Sequence, residues 1–211
     1  MEKRERLGEF VYRWTEGCFP LGRDSLLLGE FATLRRGDRV CDLGCGAGLL
    51  PLLLLGRERA LALTGVELDP RAAELARENL ARNGLAGEIL TGDFRDIRAL
   101  LPAGRFDLAI SNPPYYAPGA GGDGGPARMG ELAAVCGAAG WLLKNGGRFA
   151  LVCRPERLGA LFAALRGAGL EPKRLRLAQH GPDTPPFAAL VEAVRQGREG
   201  LAVLPTLLEH P

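Results

Sequence analysis

The segment Asp42-Leu43-Gly44-Cys45-Gly46-Ala47-Gly48 limits the fold more than any other stretch of the chain. It follows the short apolar run Arg39-Val40-Cys41-Asp42-Leu43, which reads as a buried strand, and opens an apolar helical stretch over 47–55. Alternate glycines between the two let the backbone turn sharply and approach a ligand with no Cβ in the way. A strand that feeds a helix through such a loop is the first unit of an α/β sheet.

The pattern then repeats. Strands are expected over 60–67, 88–91, 106–111 and 148–153, and helices over 70–83, 127–143 and 155–167. Asp69 and Pro70 suit the cap and first position of one helix, and Gly84 suits its stop. Asn145-Gly146-Gly147 reads as a turn. Two last strands, 170–178 and 187–194, have no helix between them and so predict an antiparallel hairpin. The expected fold class is α/β: a Rossmann-like, mostly parallel seven-stranded sheet with a C-terminal antiparallel hairpin and helices on both faces. Ligands of such sheets bind beyond the carboxyl ends of the strands.

A length of 211 residues suits one such domain, over 39–211, with residues 1–38 as an extension packed on it. The five cysteines are odd in number and lack metal-ligand spacing. They predict reduced thiols in a cytoplasmic protein, with no metal. The longest apolar run, 49–55, is too short to cross a bilayer, so no membrane partner is expected. A net charge of +2 neither demands nor excludes nucleic acid. A monomer is expected.

Strand ends carry the chemistry. The glycine spacing departs from the dinucleotide fingerprint, whose third glycine stands five places after the first; here that place is Leu49. Asp42 would repel a pyrophosphate but suits an ammonium, and a helix N-terminus beside it suits a carboxylate. Glu67, followed by Leu68, ends the second strand, where an acid can accept from both hydroxyls of a ribose. Asp93 ends the third strand, where an acid can receive an adenine amino group, and Phe94 can lie against the ring. Asp42 with Gly44, Cys45, Gly46 and Gly48 resembles the loop that binds S-adenosyl-L-methionine, which is released as S-adenosyl-L-homocysteine.

After the fourth strand comes Ser111-Asn112-Pro113-Pro114-Tyr115-Tyr116. A planar conjugated amine, such as the exocyclic nitrogen of adenine or a glutamine amide, is a poor nucleophile because its lone pair is delocalised. Two acceptors aimed at its hydrogens favour a pyramidal nitrogen. The Asn112 side-chain oxygen and the Pro113 carbonyl are the candidates, and Pro113 with Pro114 stiffens the loop so that both are pre-aimed. Tyr115 can stack on a flipped base. Asn112 also adjoins the cofactor.

These residues identify the chain as a relative of the bacterial tRNA (adenine-N6)-methyltransferases that modify A37 of a valine tRNA. The resemblance also rests on Glu5-Arg6-Leu7, Arg23-Asp24-Ser25-Leu26-Leu27-Leu28, Arg154-Pro155-Glu156-Arg157-Leu158, Glu171-Pro172-Lys173-Arg174 and the stretch 200–208. It implies methyl transfer from S-adenosylmethionine to RNA. Ala127-Arg128 matches the family, whereas Met129-Gly130 replaces its histidine. Asp24 is either a helix N-cap or, by the resemblance, a cofactor-side residue.

RNA would need positive charge near the active face. Candidates are Lys3, Arg4 and Arg6 with Tyr12 and Trp14 nearby, then Arg128, Arg154 and Arg157, and Lys173, Arg174 and Arg176, with Tyr116 as a further substrate contact. The Gly-rich stretch 117–126 could close over a base. Three alternatives stay open: a ribosomal RNA base methyltransferase, a protein-glutamine N5-methyltransferase of the release-factor type, and a non-catalytic binding protein. The 38 residues before Arg39 are too few for the N-terminal substrate domain of the glutamine enzymes. Intact Asn112, Pro113, Asp42 and Glu67 argue against a non-catalytic role.

Overall fold

The computed structural model describes residues 3–15, 22–113 and 126–209, the side chains of 126–129 excepted. Its first elements are an antiparallel hairpin, β1 (Lys3–Leu7) and β2 (Phe10–Trp14). There follow α1 (Arg23–Phe31), β3 (Arg39–Leu43), α2 (Leu49–Arg57), β4 (Ala62–Glu67), α3 (Pro70–Arg82), β5 (Glu88–Thr91), α4 (Ile97–Leu100) and β6 (Phe106–Ser111). The last group is α5 (Pro126–Leu142), β7 (Leu143–Cys153), α6 (Leu158–Gly167), β8 (Leu170–Gln179), β9 (Ala188–Arg195) and the two-residue strands β10 (Ala202–Val203) and β11 (Leu207–Leu208).

The long strands form one sheet in the order β8-β9-β7-β6-β3-β4-β5. Neighbours from β7 to β5 are parallel, while β9 runs antiparallel to both β7 and β8. This is the expected α/β class with the expected terminal hairpin. β10 and β11 lie parallel along the outer edge of β8 and were not foreseen, because two-residue strands carry no readable pattern.

Side chains alternate across the sheet, so each strand serves two cores. Val40, Leu108, Ile110, Ala150 and Val152 face α1, α2, α3 and the hairpin. Cys41, Leu43, Ala109, Phe149, Leu151 and Cys153 face α4, α5 and α6. Helices thus cover both faces, as a parallel sheet requires.

Local signals set the helix ends. Asp69 caps α3 by accepting from the Arg71 amide at 2.9 Å, Pro70 takes the first position, and Gly84 leaves the helix at φ +63°. Asp24 does not cap α1; Gly22 holds that place, so the capping option for Asp24 falls. The turn expected at 145–147 is a bulge within β7, where Gly146 has φ +77° and the register to β6 shifts.

The hairpin changes the reading of two aromatic residues in the segment 1–38. Phe10, Tyr12 and Trp14 are buried in the first core, so Tyr12 and Trp14 are packing residues and not exposed stacking platforms. The outer edge of β2 is read by two asparagines one turn apart on α3. Asn79 accepts from the Arg13 amide (3.1 Å) and donates to the Arg13 carbonyl (2.8 Å). Asn83 does the same at Val11, at 2.9 Å each. The two side-chain amides stand in for the missing neighbouring strand and satisfy an edge that would otherwise be open.

Candidate active site

The chain leaves β3 to one side for β4 and β5, then returns to β6 on the other side. Ligands bind at such a reversal, beyond the carboxyl ends of the strands. The loop after β3 and the segment after β6 meet there. A cleft of about 400 Å³ opens at this edge, lined by Gly44, Gly46, Glu67, Leu68, Asp93, Phe94 and Asn112 among others. Three successive strand ends and the start of the Asn-Pro-Pro segment therefore converge on one space, as the sequence predicts.

The loop is held open by its glycines. Gly44, Gly46 and Gly48 have φ of +79°, +54° and +85°, a region costly for other residues. A Cβ on Gly48 would also press on Ala76 at 3.1 Å. Much of the loop's backbone hydrogen bonding is internal. The Gly44 and Cys45 amides donate to the Val66 carbonyl, Gly46 donates to Glu67, and Gly48 donates to the Cys45 carbonyl. Helix α2 starts at Leu49, two residues later than expected, with Gly48 as its N-cap.

Glu67 is positioned before any ligand arrives. Its carboxylate accepts from Gly46 N–H at 2.7 Å and from Asp69 N–H at 2.9 Å. A carboxylate offers about four acceptor sites, so capacity remains toward the cleft that it lines. Asp42 is different. It is wholly buried, and neither carboxylate oxygen has a hydrogen-bond partner among the described residues. Burial, with the charge of Glu67 adding, pushes its pKa well above the ordinary carboxylate range. It does not line the cleft. Two carboxylates behind a loop with open space at Gly44 and Gly46 suit a ligand carrying a positive charge and a polyol. This donor set fits S-adenosylmethionine.

Asp93 lies on the cleft wall, and Arg95 occupies much of it. Its carboxylate accepts from the Arg95 amide at 2.8 Å and from the guanidinium, and the side-chain bond from Arg95 holds its pKa below the usual value. Cys45 points the other way. Its buried sulfur lies where a Cβ on Gly65 would meet it at 2.8 Å, so only its backbone faces the loop. Burial likewise pushes the thiols of Cys41, Cys136 and Cys153 up, which suits packing and not reactivity.

At the reacting end, Ser111 donates from its hydroxyl to the Leu43 carbonyl at 2.7 Å and ties β6 to the base of the loop. Asn112 comes next. Its amide nitrogen donates to Ser25 Oγ at 2.8 Å, while its oxygen is buried without a partner among the described residues. Ser25 was missed as a site residue, although its segment had been noted; nothing local in the sequence links it to Asn112. Pro113 is buried. Pro114, Tyr115, Tyr116, the stretch 117–125 and the Arg128 side chain lie outside the described residues. Asp69, Ala72, Arg95, Gly130, Glu131 and Ala134 complete the wall and were not foreseen.

The basic candidates separate. Arg154 donates to the Phe187 carbonyl at 3.3 Å, and its charge opposes the burial that raises the pKa of Asp24. Lys173 donates to the carbonyls of Arg198 and Glu199. Arg174 turns inward to Thr33 and Glu192 and lies 4.6 Å over the Phe31 ring. Its place in the RNA-facing set is therefore corrected. Among the described residues no helix is long and apolar enough to cross a membrane.

A reversing parallel sheet with its cleft at the strand ends, glycine-lined and acidic, is the architecture of class I S-adenosylmethionine-dependent methyltransferases. The chain belongs to the methyltransferase small domain family, whose model matches residues 23–161. It is 37% identical over 153 residues to the tRNA1(Val) (adenine(37)-N6)-methyltransferase of Enterobacter sp. (strain 638), covering 67% of this chain and 61% of that one. The protein of the same description from Cronobacter sakazakii is 36% identical over 157 residues, covering 70% and 63%. The chain thus spans about three fifths of the length of these curated relatives. Among solved structures, a predicted O-methyltransferase from Agrobacterium tumefaciens superposes with a TM-score of 0.75 at 26% identity, covering 88% of this chain and 86% of that one. The 16S rRNA N2 G1207 methyltransferase of Thermus thermophilus, solved with AdoMet and guanosine, gives 0.67 at 25% identity over 92% of this chain and 50% of that one.

Proposed function

We propose that this protein transfers a methyl group from S-adenosylmethionine to the exocyclic amino nitrogen of adenine in RNA, with A37 of a valine tRNA as the target, and acts in the cytoplasm as a monomer. The observation that carries the reading is Asn112. Its amide nitrogen is pinned by Ser25, and its oxygen is buried at the cleft with no partner among the described residues. A buried acceptor without a donor is costly unless a ligand supplies one. The two relatives described as tRNA1(Val) adenine(37)-N6 enzymes support the choice of adenine and of tRNA.

Bound S-adenosylmethionine supplies an electrophilic methyl group on a sulfonium. Glu67 would receive the ribose hydroxyls, with its carboxylate already oriented by Gly46 and Asp69. Asp42 stands buried behind the glycine loop, and a bound ammonium nearby would favour its ionised form. Asp93 and Phe94 would hold the adenine of the cofactor. At the substrate, Asn112 Oδ1 and the Pro113 carbonyl accept the two amino hydrogens and draw the lone pair out of conjugation. The methyl group would then pass to that nitrogen, the new N–C bond replacing the cofactor's S–C bond and leaving S-adenosylhomocysteine. The methylated nitrogen is acidic at that moment and gives its proton to solvent, so no side chain has to act as a base beforehand. Tyr115 stacks on the flipped adenine.

The test is a substrate panel with labelled S-adenosylmethionine and, separately, bulk tRNA, ribosomal RNA and release factor, followed by digestion. N6-methyladenine in tRNA is the expected product. N5-methylglutamine, or no labelled acceptor, overturns the reading. Asn112→Ala should nearly abolish transfer and leave cofactor binding intact; normal transfer by that variant overturns the catalytic assignment.

A further inference from the structure

Strand pairing decides which side chains of the hairpin share a face. The register is Lys3↔Trp14, Arg4↔Arg13, Glu5↔Tyr12, Arg6↔Val11 and Leu7↔Phe10. Directly opposed residues of an antiparallel pair lie on the same face. Phe10, Tyr12 and Trp14 are buried against the core, so Arg4, Arg6, Val11 and Arg13 share the outer face. There Arg4, Arg13 and Arg82 of α3 line a groove of about 350 Å³ with Val11 and Asn83.

Three arginines line this groove, and no acidic residue among the described ones does. Arg82 pairs with Glu78 one turn away at 3.4 Å, an exposed contact of little weight. The register sets Arg4 directly opposite Arg13, so the two side chains leave the hairpin side by side. The groove is also preorganised. Asn79 and Asn83 clamp β2 to α3 through four hydrogen bonds at Val11 and Arg13. A rigid frame lowers the entropy lost on binding.

We propose that this groove holds the phosphate backbone of the RNA substrate. Guanidinium forks match phosphate oxygens in pairs, and three of them on fixed elements provide a track. The same helix reaches the active cleft. Ala72 of α3 lines the cleft and Arg82 lines the groove, about 15 Å apart at the helical rise. A few nucleotides span that distance. Asn79 also donates to the Ala47 carbonyl in the glycine loop at 2.8 Å, so the groove and the cofactor loop share one buried side chain. The inference rests on the RNA reading for its choice of ligand.

The experiment compares wild type with Arg4→Gln/Arg13→Gln/Arg82→Gln. Fluorescence anisotropy reads tRNA affinity across a salt series, calorimetry reads cofactor affinity, and product analysis identifies the methyl acceptor. The triple variant should bind tRNA at least about tenfold more weakly, and its slope of log affinity on log salt should shrink by about 2, at roughly 0.7–0.9 per lost phosphate contact. Cofactor affinity and melting temperature should hold. Arg59→Gln removes a cation outside the groove that pairs with Glu9 and should change nothing. Arg4→Gln alone, on the exposed strand, should lower the slope by about 1, which keeps the test decisive if the triple variant folds poorly. Unchanged affinity and slope in these variants, or no RNA binding by wild type, overturns the groove. If wild type methylates tRNA and the variants bind it normally, the groove fails and the activity stands. If RNA binds through the groove but only a glutamine is methylated, the activity reading fails and the groove stands.

Discussion

Asn112 and Ser25 are 87 residues apart in sequence and joined by a 2.8 Å hydrogen bond from the asparagine amide nitrogen to the serine hydroxyl. That bond decides which end of the Asn112 amide is left to accept. If the nitrogen were released, the amide could turn and offer a donor where an acceptor is needed. Ser25 is therefore a positioning residue. Its removal should cost about one net hydrogen bond, roughly 1 kcal/mol, or five- to tenfold in single-turnover rate. Ser25→Thr keeps a hydroxyl and should recover most of the loss. The effect should fall on kcat and leave the cofactor dissociation constant nearly unchanged. A normal rate in Ser25→Ala would remove this role.

Asp42 makes stability depend on pH. Its folded pKa is raised, chiefly by burial. Above the unfolded value of about 3.9, the native state keeps a proton that the unfolded chain has lost. Native stability contributed by this group is therefore present at low pH and declines as pH rises through the folded pKa. Asp42→Asn resembles the protonated form at every pH. The variant should melt a few degrees higher than wild type at alkaline pH, at about 2–4 °C per kcal/mol, with the gap closing toward pH 4. It should also bind S-adenosylmethionine more weakly. A lower melting temperature across the range would show a structural role in place of a ligand-binding one.

Asn79 is fully buried and joins three chain segments, with bonds to both backbone groups of Arg13 and to the Ala47 carbonyl. Asn79→Ala strands those groups. The expected cost is about 2–3 kcal/mol, measured by denaturant unfolding. Amide exchange at Arg13 should quicken, and cofactor affinity should drop as the glycine loop loses its tether. Asn83→Ala, nearer the surface, should cost less and leave the loop alone. Equal losses in the two variants would contradict the tether.

Arg148 and Asp38 form a buried ion pair, and Asp38 also accepts from the Arg35 amide at 2.8 Å. Arg148→Ala leaves the carboxylate buried without its cation, a change that costs about 3–5 kcal/mol. Melting should fall by about 10 °C, at 2–4 °C per kcal/mol. Asp38→Asn combined with Arg148→Met should recover much of this, because it removes both charges. A single-variant loss near zero would mean that water already reaches the pair.

Much of the architecture was legible because its signals are local. The ranges 88–91 and 106–111 coincide with β5 and β6, each an apolar run beside glycines or prolines. Asp69, Pro70 and Gly84 bound α3 through caps that act within a turn. The hairpin was missed although Phe10, Tyr12 and Trp14 alternate as a half-buried strand should. The lysine and arginines beside them belong to an exposed segment, and only tertiary packing turns the aromatic face inward.

The order of residues alone determined that glycines, acids and the Asn-Pro-Pro segment would stand at successive strand ends, because strand period, caps and turns depend on near neighbours. Tertiary structure alone decided three other things. Ser25 was brought to Asn112, both Asp42 oxygens were sealed from any partner, and Arg4 and Arg13 were set beside Arg82. Each of these depends on contacts between segments distant in the chain, through hydrogen bonding, desolvation and strand register, and no local pattern encodes them.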